Sequence, residues 1–532
     1  MSERATVVLD VGKTLTKLSL WGADGRLIEH RDRPNERIET GLYVGLDAHG
    51  IETFVAESLE HFGKLADVEA IIPVGHGAAA AVVGEDGLAG PCVFGAHTSS
   101  GLAHGSSDRA ASEGTPSGDR LATEAQRRES HEASATRRGT HGSSGLLLPP
   151  LDYEHPIPAA VRSAYNAQRD AFAVTGSPAL PDGLNLGAQL FFLESLQPGL
   201  LSGDRRIVPW AQYWSWMLSG VAAAEVTSLG CHTDLWCPLT REPSPLARKR
   251  GWSDQLAPLH TAGSVLGTLR PDWAKRTRLS GEVRIHCGLH DSNAALLAAR
   301  AAPEIAGQEA TVLSTGTWFV AMRTPARGER VTMANLDEKR DCLVNVDVEG
   351  NPVPSARFMG GREIELLMGP DTQRLDTPTD QPALLACVSE VLANKAMALP
   401  TLAPGCGPFP RGRGRWVSMP TDAMQRRAAV ALYVALVTDV ALDLVGARAR
   451  LLIEGRFSES QVFVRALAAL RPETRVYVCQ PRSDVSFGAL KLIHPELQPS
   501  SALVRIEPLA EDLGDYRRRW RLEAESLDIT TQ

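Results

Sequence analysis

Residues 7–20, VVLDVGKTLTKLSL, decide the fold. A strand-like apolar run brings Asp10 to its end and delivers Gly12, Lys13 and Thr14 into one tight turn, after which a second strand-like run begins. Glycine lets the backbone approach an anion, and Lys13, Thr14 and Lys17 supply positive charge and hydroxyl donors, so the turn suits a phosphate. The GKT triplet is not a P-loop, because that motif needs a glycine five positions before Gly12 and Val7 stands there. Taken alone, strand, glycine turn and strand also describe an ordinary hairpin. A second copy favours the phosphate reading: residues 310–322, ATVLSTGTWFVAM, repeat the layout with Ser314, Thr315, Gly316 and Thr317 as the polar turn. Two such turns so far apart point to a duplicated fold whose halves face each other across one nucleotide.

The pair resembles the phosphate-1 and phosphate-2 elements of the actin, sugar-kinase and Hsp70 superfamily, and further details resemble its FGGY carbohydrate kinase branch along nearly the whole chain. The resemblance implies an α/β protein of two ribonuclease-H-like domains flanking a deep cleft. Residues 1–300 would form the sugar-side domain and 301–532 the nucleotide-side domain. The implied activity is ATP-dependent phosphorylation of a sugar hydroxyl, with Mg²⁺ as cofactor and a ketose or polyol as acceptor. Fuculose or rhamnulose comes first, xylulose or ribulose next.

Size and composition agree. With 532 residues the chain exceeds one ordinary core, so two domains are expected. A net charge of -8, without a basic stripe interleaved with aromatics, speaks against a nucleic-acid partner and for a small-molecule one. The opening MSERATVVLD lacks an apolar core behind a basic segment, and no later stretch reads as long and apolar enough to span a bilayer, so a cytoplasmic protein without a membrane partner is expected. A homodimer is compatible with the resemblance. The eight cysteines form no CxxC pair; Cys231 and Cys237 near His232, and Cys287 beside His286, come nearest to a metal cluster but read as isolated reduced thiols.

Along the chain, Asp24-Gly25 signals a turn into a third antiparallel strand, RLIEHRD. Residues 51–65 have helical periodicity, and VEAIIPVGHG reads as a strand ending in a glycine turn. Three strands, a helix and a strand open a ribonuclease-H-like domain. Residues 95–145 are rich in Ser, Gly, Thr, Arg and His and nearly devoid of large apolar side chains, which predicts a disordered or loosely held insertion. Its flanks, AAAAVVGEDGL and LLLPPLDYEHP, look like two sides of one loop. Phe191, Phe192, Trp210, Tyr213, Trp214 and Trp216 form an aromatic-rich stretch that suits a core, although rings also suit sugar faces. From residue 426 onward a long helix, the strand RLLIEG, a helix stopped by Pro472, the strand TRVYVC and a last helix imply a largely parallel, covered sheet.

Asp291, in RIHCGLHDSNAALLAARAA, is the strongest chemical candidate. It stands where a strand passes through Gly288 into an alanine-rich helix, a position that suits both a helix cap and a general base. FGGY kinases carry their base in a glycine-x-x-aspartate at this point, and Gly288 to Asp291 fit that spacing. By the same resemblance Gly12, Lys13, Thr14 and Lys17 would hold phosphates from one side and Ser314, Thr315, Gly316 and Thr317 from the other, while Asp10 would hold Mg²⁺ through water. Lys13 departs from the Thr or Ser common in the family. Gly75, His76 and Gly77, Tyr153 and Glu154, and His290 would edge the sugar pocket, with Gln189, Trp210 and Gln212 as weaker candidates. Gly360 and Gly361, with Gly455 and Arg456, resemble loops that wrap the nucleotide; relatives carry a double glycine where this chain has Gly455-Arg456, so either Arg456 stacks on adenine or nucleotide affinity is altered. The rival reading is a non-catalytic nucleotide-binding sensor or assembly protein of the same fold.

Overall fold

The computed structural model describes residues 3–84, 146–369, 374–479, 485–499 and 502–529. The low-complexity segment 95–145 lies outside these residues.

Strands β1 (Arg4–Val11) and β2 (Leu15–Gly22) pair antiparallel with Asp10 opposite Lys17. Val7, Val8 and Leu9 are all fully buried, so β1 is covered on both faces, which is why it reads as an unbroken apolar run. Gly25, at φ 81°, closes the turn into β3 (Leu27–Pro34), whose alternating exposure marks it as the sheet edge. Helix α1 (Ala48–Phe62) starts at Asp47, whose carboxylate accepts the Gly50 N–H at 2.8 Å. The chain then returns as β4 (Asp67–Gly75), parallel to β1. Later segments add β5 (Val265–Thr268), β6 (Arg284–His286) and β7 (Leu289–His290), and β7 runs straight into helix α2 (Asp291–Arg300). The strand order is β5-β6-β4-β1-β2-β3, with β7 also on β4.

A second seven-stranded sheet repeats the plan. Its strands are β8 (Ala310–Thr315), β9 (Phe319–Thr324), β10 (Cys342–Val346), β11 (Pro352–Phe358), β12 (Arg450–Gly455), β13 (Arg475–Val478) and β14 (Val504–Arg505). They lie in the order β10-β11-β9-β8-β12-β13-β14. The runs β3-β2-β1-β4 and β11-β9-β8-β12 match: three antiparallel strands, then one parallel to the innermost. The duplication read from two turns is thus a duplication of whole sheets.

Helix α3 (Gly360–Met368) docks its first turn on the β8–β9 turn. Helix α4 (Ala423–Val445) corrects the expectation that no stretch is long and apolar enough to cross a membrane, since by length and composition it is. Its apolar window is 89% buried inside the fold, where it packs with helix α5 (Gln461–Leu470), so apolarity on all sides answers to neighbours on all sides. The flanks of the low-complexity segment pair directly, Val82 opposite Leu148 and Val83 opposite Leu146. Phe192, Trp210, Tyr213, Trp214 and Trp216 are core residues, with the Trp210, Tyr213 and Trp214 rings 5.1–5.3 Å apart.

Candidate active site

The two polar turns open onto one cleft of about 390 Å³. From the first sheet come Asp10, Gly12, Lys13, Thr14 and Lys17. The same cleft is lined by Asp291 and Ser292 of α2 and by Ser314 and Glu454 of the second sheet. The first turn is closed by Gly12 N–H to Leu15 O at 3.0 Å. Asn35, which no motif singled out, fastens it: its amide donates to Gly12 O at 2.8 Å, its backbone N–H to Thr14 O at 2.9 Å, and its side-chain oxygen accepts Thr16 Oγ1 at 2.7 Å. Thr14 is left exposed to the cleft.

Lys13 is more constrained than a free phosphate ligand. Its ammonium pairs with the fully buried Asp152 and lies 4.3 Å above the centre of the Tyr153 ring. Burial pulls it below the usual lysine range, with Asp152 pulling the other way. Arg37 Nε reaches the second Asp152 oxygen at 3.0 Å and pairs through its other arm with the exposed Glu154. Burial, aided by Glu154, pushes the Tyr153 phenol up to about 12, so it is neutral at physiological pH. Tyr153 stands edge-on to His76, whose Nδ1 bonds Gly77 O at 2.7 Å. Sequence reasoning placed Tyr153 and Glu154 here but passed over Asp152 and Arg37, which lie far apart along the chain.

Asp291 is the first helical residue of α2, not its cap; the cap position is His290, whose side chain makes no capping bond. The Asp291 side chain is 30% exposed, accepts the Ser292 N–H at 2.6 Å and lies 3.2 Å from His290 Nε2. Burial holds the His290 imidazole below its ordinary range despite Asp291 beside it. Asn293 Nδ2 donates to His290 Nδ1 at 3.3 Å, which leaves Nε2–H directed toward Asp291 and Cys231 Sγ. The turn before Asp291 needs its glycine: Gly288 has φ 77°, and a Cβ there would collide with Pro73 O. Gly75 and Gly77 are spacing residues, since a Cβ at Gly75 would sit 2.8 Å from Ala211 N and one at Gly77 2.6 Å from Cys231 Sγ. Gln189 and Gln212 are buried and spend their amides on backbone carbonyls, Gln189 on Ala78 and Gly183, Gln212 on Cys287 and Gly288.

In the second sheet, Ser314 and Thr317 are exposed whereas Thr315 points inward. The Thr315 hydroxyl donates to Glu454 O and accepts Phe457 N–H at 3.1 Å, so it ties β8 to the end of β12 and does not face a phosphate. Gly361 N–H donates to Thr317 O at 3.2 Å, and side chains at Gly360 or Gly361 would strike Phe319 or the Gly316 carbonyl. Both glycines therefore press the α3 N-terminus onto the turn. Gly455, at φ 84°, passes against Thr315 O in the same way. Arg456 pairs with Asp376, Nε to Oδ2 at 2.9 Å, and keeps a side chain 39% exposed. Burial opposes ionisation of Asp376, but Arg374 and Arg456 together hold its carboxyl down to about 2.

Among the described residues no group of three or more His, Cys, Asp or Glu side chains could hold a metal ion. Asp10, at the end of β1, lines the cleft with a carboxylate of the kind that holds magnesium through water, and the described residues of the cleft offer no all-protein cage.

Residues 307–500 match the family description "Carbohydrate kinase FGGY, C-terminal domain". The fold superposes on a carbohydrate kinase from Novosphingobium aromaticivorans with a TM-score of 0.85 and 48% identity, covering 99% of this chain and 100% of that one. It is also similar to a gluconate kinase from Lactobacillus acidophilus (TM-score 0.73, 12% identity, 99% of each chain). Plasmodium falciparum glycerol kinase with ADP shares the fold as well (TM-score 0.72, 12% identity, 99% of this chain and 98% of that one). No curated protein sequence matches the chain.

Proposed function

As a member of the FGGY carbohydrate kinases, the family to which this chain belongs, the protein is a phosphotransferase, and we propose that it moves the terminal phosphoryl group of ATP onto a hydroxyl of a ketose or related polyol, with Asp291 as general base. The observation that carries this reading is the shared cleft, where Lys13, Thr14 and Lys17 stand on one wall, Ser314 on the other, and Asp291 between them. Phosphoryl transfer passes through a loose transition state, so alignment and charge compensation supply most of the rate. Asp291 is partly open to the cleft and placed to take the proton of an attacking hydroxyl, and Ser292 N–H and His290 restrain its carboxylate. Lys13, Lys17, Thr14, Ser314 and Thr317 donate to phosphate oxygens. Mg²⁺, when bound, neutralises charge on the phosphates, and Asp10 would hold it through water.

Residues 1–300 carry the sugar side and 301–532 the nucleotide side. His76, Tyr153 and Glu154 edge the acceptor pocket, and a deoxyketohexose such as fuculose or rhamnulose ranks ahead of xylulose and ribulose. The test is sugar-dependent ADP release with Mg·ATP across L-fuculose, L-rhamnulose, D-xylulose, D-ribulose, glycerol and D-gluconate. A ketose that raises the rate well above the sugar-free level supports the reading. Equal rates with and without every acceptor would sink it, and turnover on gluconate alone would replace the acceptor class.

A further inference from the structure

Asp152 precedes Tyr153 and Glu154, the residues proposed to edge the acceptor pocket, yet its carboxylate is buried and turned toward two cations, its Oδ2 facing Arg37 without a hydrogen-bond partner. Its side chain is 0% exposed. Oδ1 takes the Lys13 ammonium and the Glu154 N–H at 2.8 Å, and Oδ2 faces Arg37 Nε at 3.0 Å. The segment that carries it is bolted down: Leu46 N–H donates to Pro150 O at 2.8 Å, Asp152 N–H to Val44 O at 3.0 Å, and Tyr43 OH to Pro149 O at 2.6 Å. Arg37 belongs to the short strand Arg37–Glu39, which pairs with Val44–Leu46, so Asp152 and Arg37 share one frame. Lys13, at the other end of the contact, lines the cleft with Asp291, and His76 lies within electrostatic reach of both.

We infer that Asp152 is a positioning residue that acts through Lys13, aiming its ammonium at the terminal phosphoryl group of bound ATP at the point where that group crosses to the acceptor. Lysine at this turn is a longer, charged donor where a hydroxyl is usual in the family, and a flexible four-carbon stem delivers charge to one place only if something holds its tip. The buried carboxylate does so and also keeps Lys13 protonated against the pull of burial. Two cations meet two carboxylates here, Lys13 and Arg37 against Asp152 and Glu154, so the cluster carries no surplus charge to attract an acidic sugar.

The inference rests on the ATP-dependent reading above, and nucleotide binding tests it without knowledge of the sugar. Calorimetric titration of the full chain with the non-hydrolysable analogue Mg·AMP-PNP and with Mg·ADP compares a ligand that has the terminal phosphoryl group with one that lacks it. Lys13→Met should lose about tenfold in affinity for Mg·AMP-PNP, the scale of one charge-assisted hydrogen bond, and under about twofold for Mg·ADP. Lys13→Arg should recover most of the loss. Asp152→Asn should show the same selective loss, and the double variant should bind no worse than Lys13→Met alone. Arg37→Gln, which keeps an amide near Asp152 at a half-exposed position, gives a second reading should Asp152→Asn not fold: a smaller selective loss that vanishes in the Lys13→Met background. Equal losses for both nucleotides, or losses at Asp152 and Lys13 that add, would overturn the inference. A parent protein that binds neither nucleotide would overturn the kinase reading and this inference together.

Discussion

Glu225 lies beneath the turn that carries His290 and Asp291, and its replacement by glutamine should make the protein's stability less sensitive to pH. The side chain is fully buried. Its Oε2 accepts Thr227 N–H at 2.9 Å, Thr227 Oγ1 at 2.5 Å and Ser228 N–H at 3.2 Å. The Thr227 hydroxyl in turn accepts His290 N–H at 3.0 Å, one residue before Asp291. Burial outweighs these three donors and pushes the carboxyl from its ordinary 4.5 up to about 7. Below pH 4.5 the group is protonated in the folded and unfolded chain alike, and the folded state bears no ionisation cost. Between 4.5 and 7 the unfolded chain gives up its proton while the folded one keeps it, so stability falls by about 1.36 kcal/mol per pH unit. Above 7 the loss levels off at about 3.4 kcal/mol. Glu225→Gln keeps an oxygen for the three donors and cannot ionise. Between pH 5 and pH 8 the parent should therefore lose about 2.7 kcal/mol relative to the variant, read from urea unfolding of both proteins at both pH values. A gap between the two that stays constant within about 0.5 kcal/mol would refute the argument.

Asp291→Asn should lower turnover by about 10² to 10⁴ with ATP affinity within about twofold, measured on the best acceptor and by titration; retention of more than about a tenth of parental turnover would place the base elsewhere. Thr315→Val should cost about 1–3 kcal/mol of stability and leave ATP affinity alone, because its hydroxyl is spent inside the fold, whereas Thr317→Val should weaken ATP binding with little change in the thermal midpoint. The reverse pattern would mean that the two hydroxyls have been assigned to the wrong sides. Gly288→Ala forces a left-handed residue and a collision with Pro73 O, so a loss of about 2 kcal/mol or more is expected from unfolding curves, and parental stability would contradict the tight turn.

The elements of the fold were readable because their signals are local. An apolar run ending in a glycine turn needs only its own residues to be recognised, and the recurrence of that unit near residue 310 revealed the duplication that the sheets β3-β2-β1-β4 and β11-β9-β8-β12 display in full. Asp291 was visible for the same reason: a strand, a glycine and an alanine-rich helix place it without reference to distant parts of the chain. Helix α4 was visible as a helix, but its mostly apolar composition does not say whether lipid or protein surrounds it, and its packing against α5 answers that. Which hydroxyl of the second turn faces the cleft was also hidden, since adjacent strand residues point to opposite sides and the parity is set by the neighbouring strand, which turns Thr315 toward Glu454. Partner choice was the least legible. Lys13 and Asp152 are 139 positions apart, Arg456 and Asp376 are 80 apart, and charged side chains choose among many possible partners by the distances that folding creates, which no periodicity in either segment records.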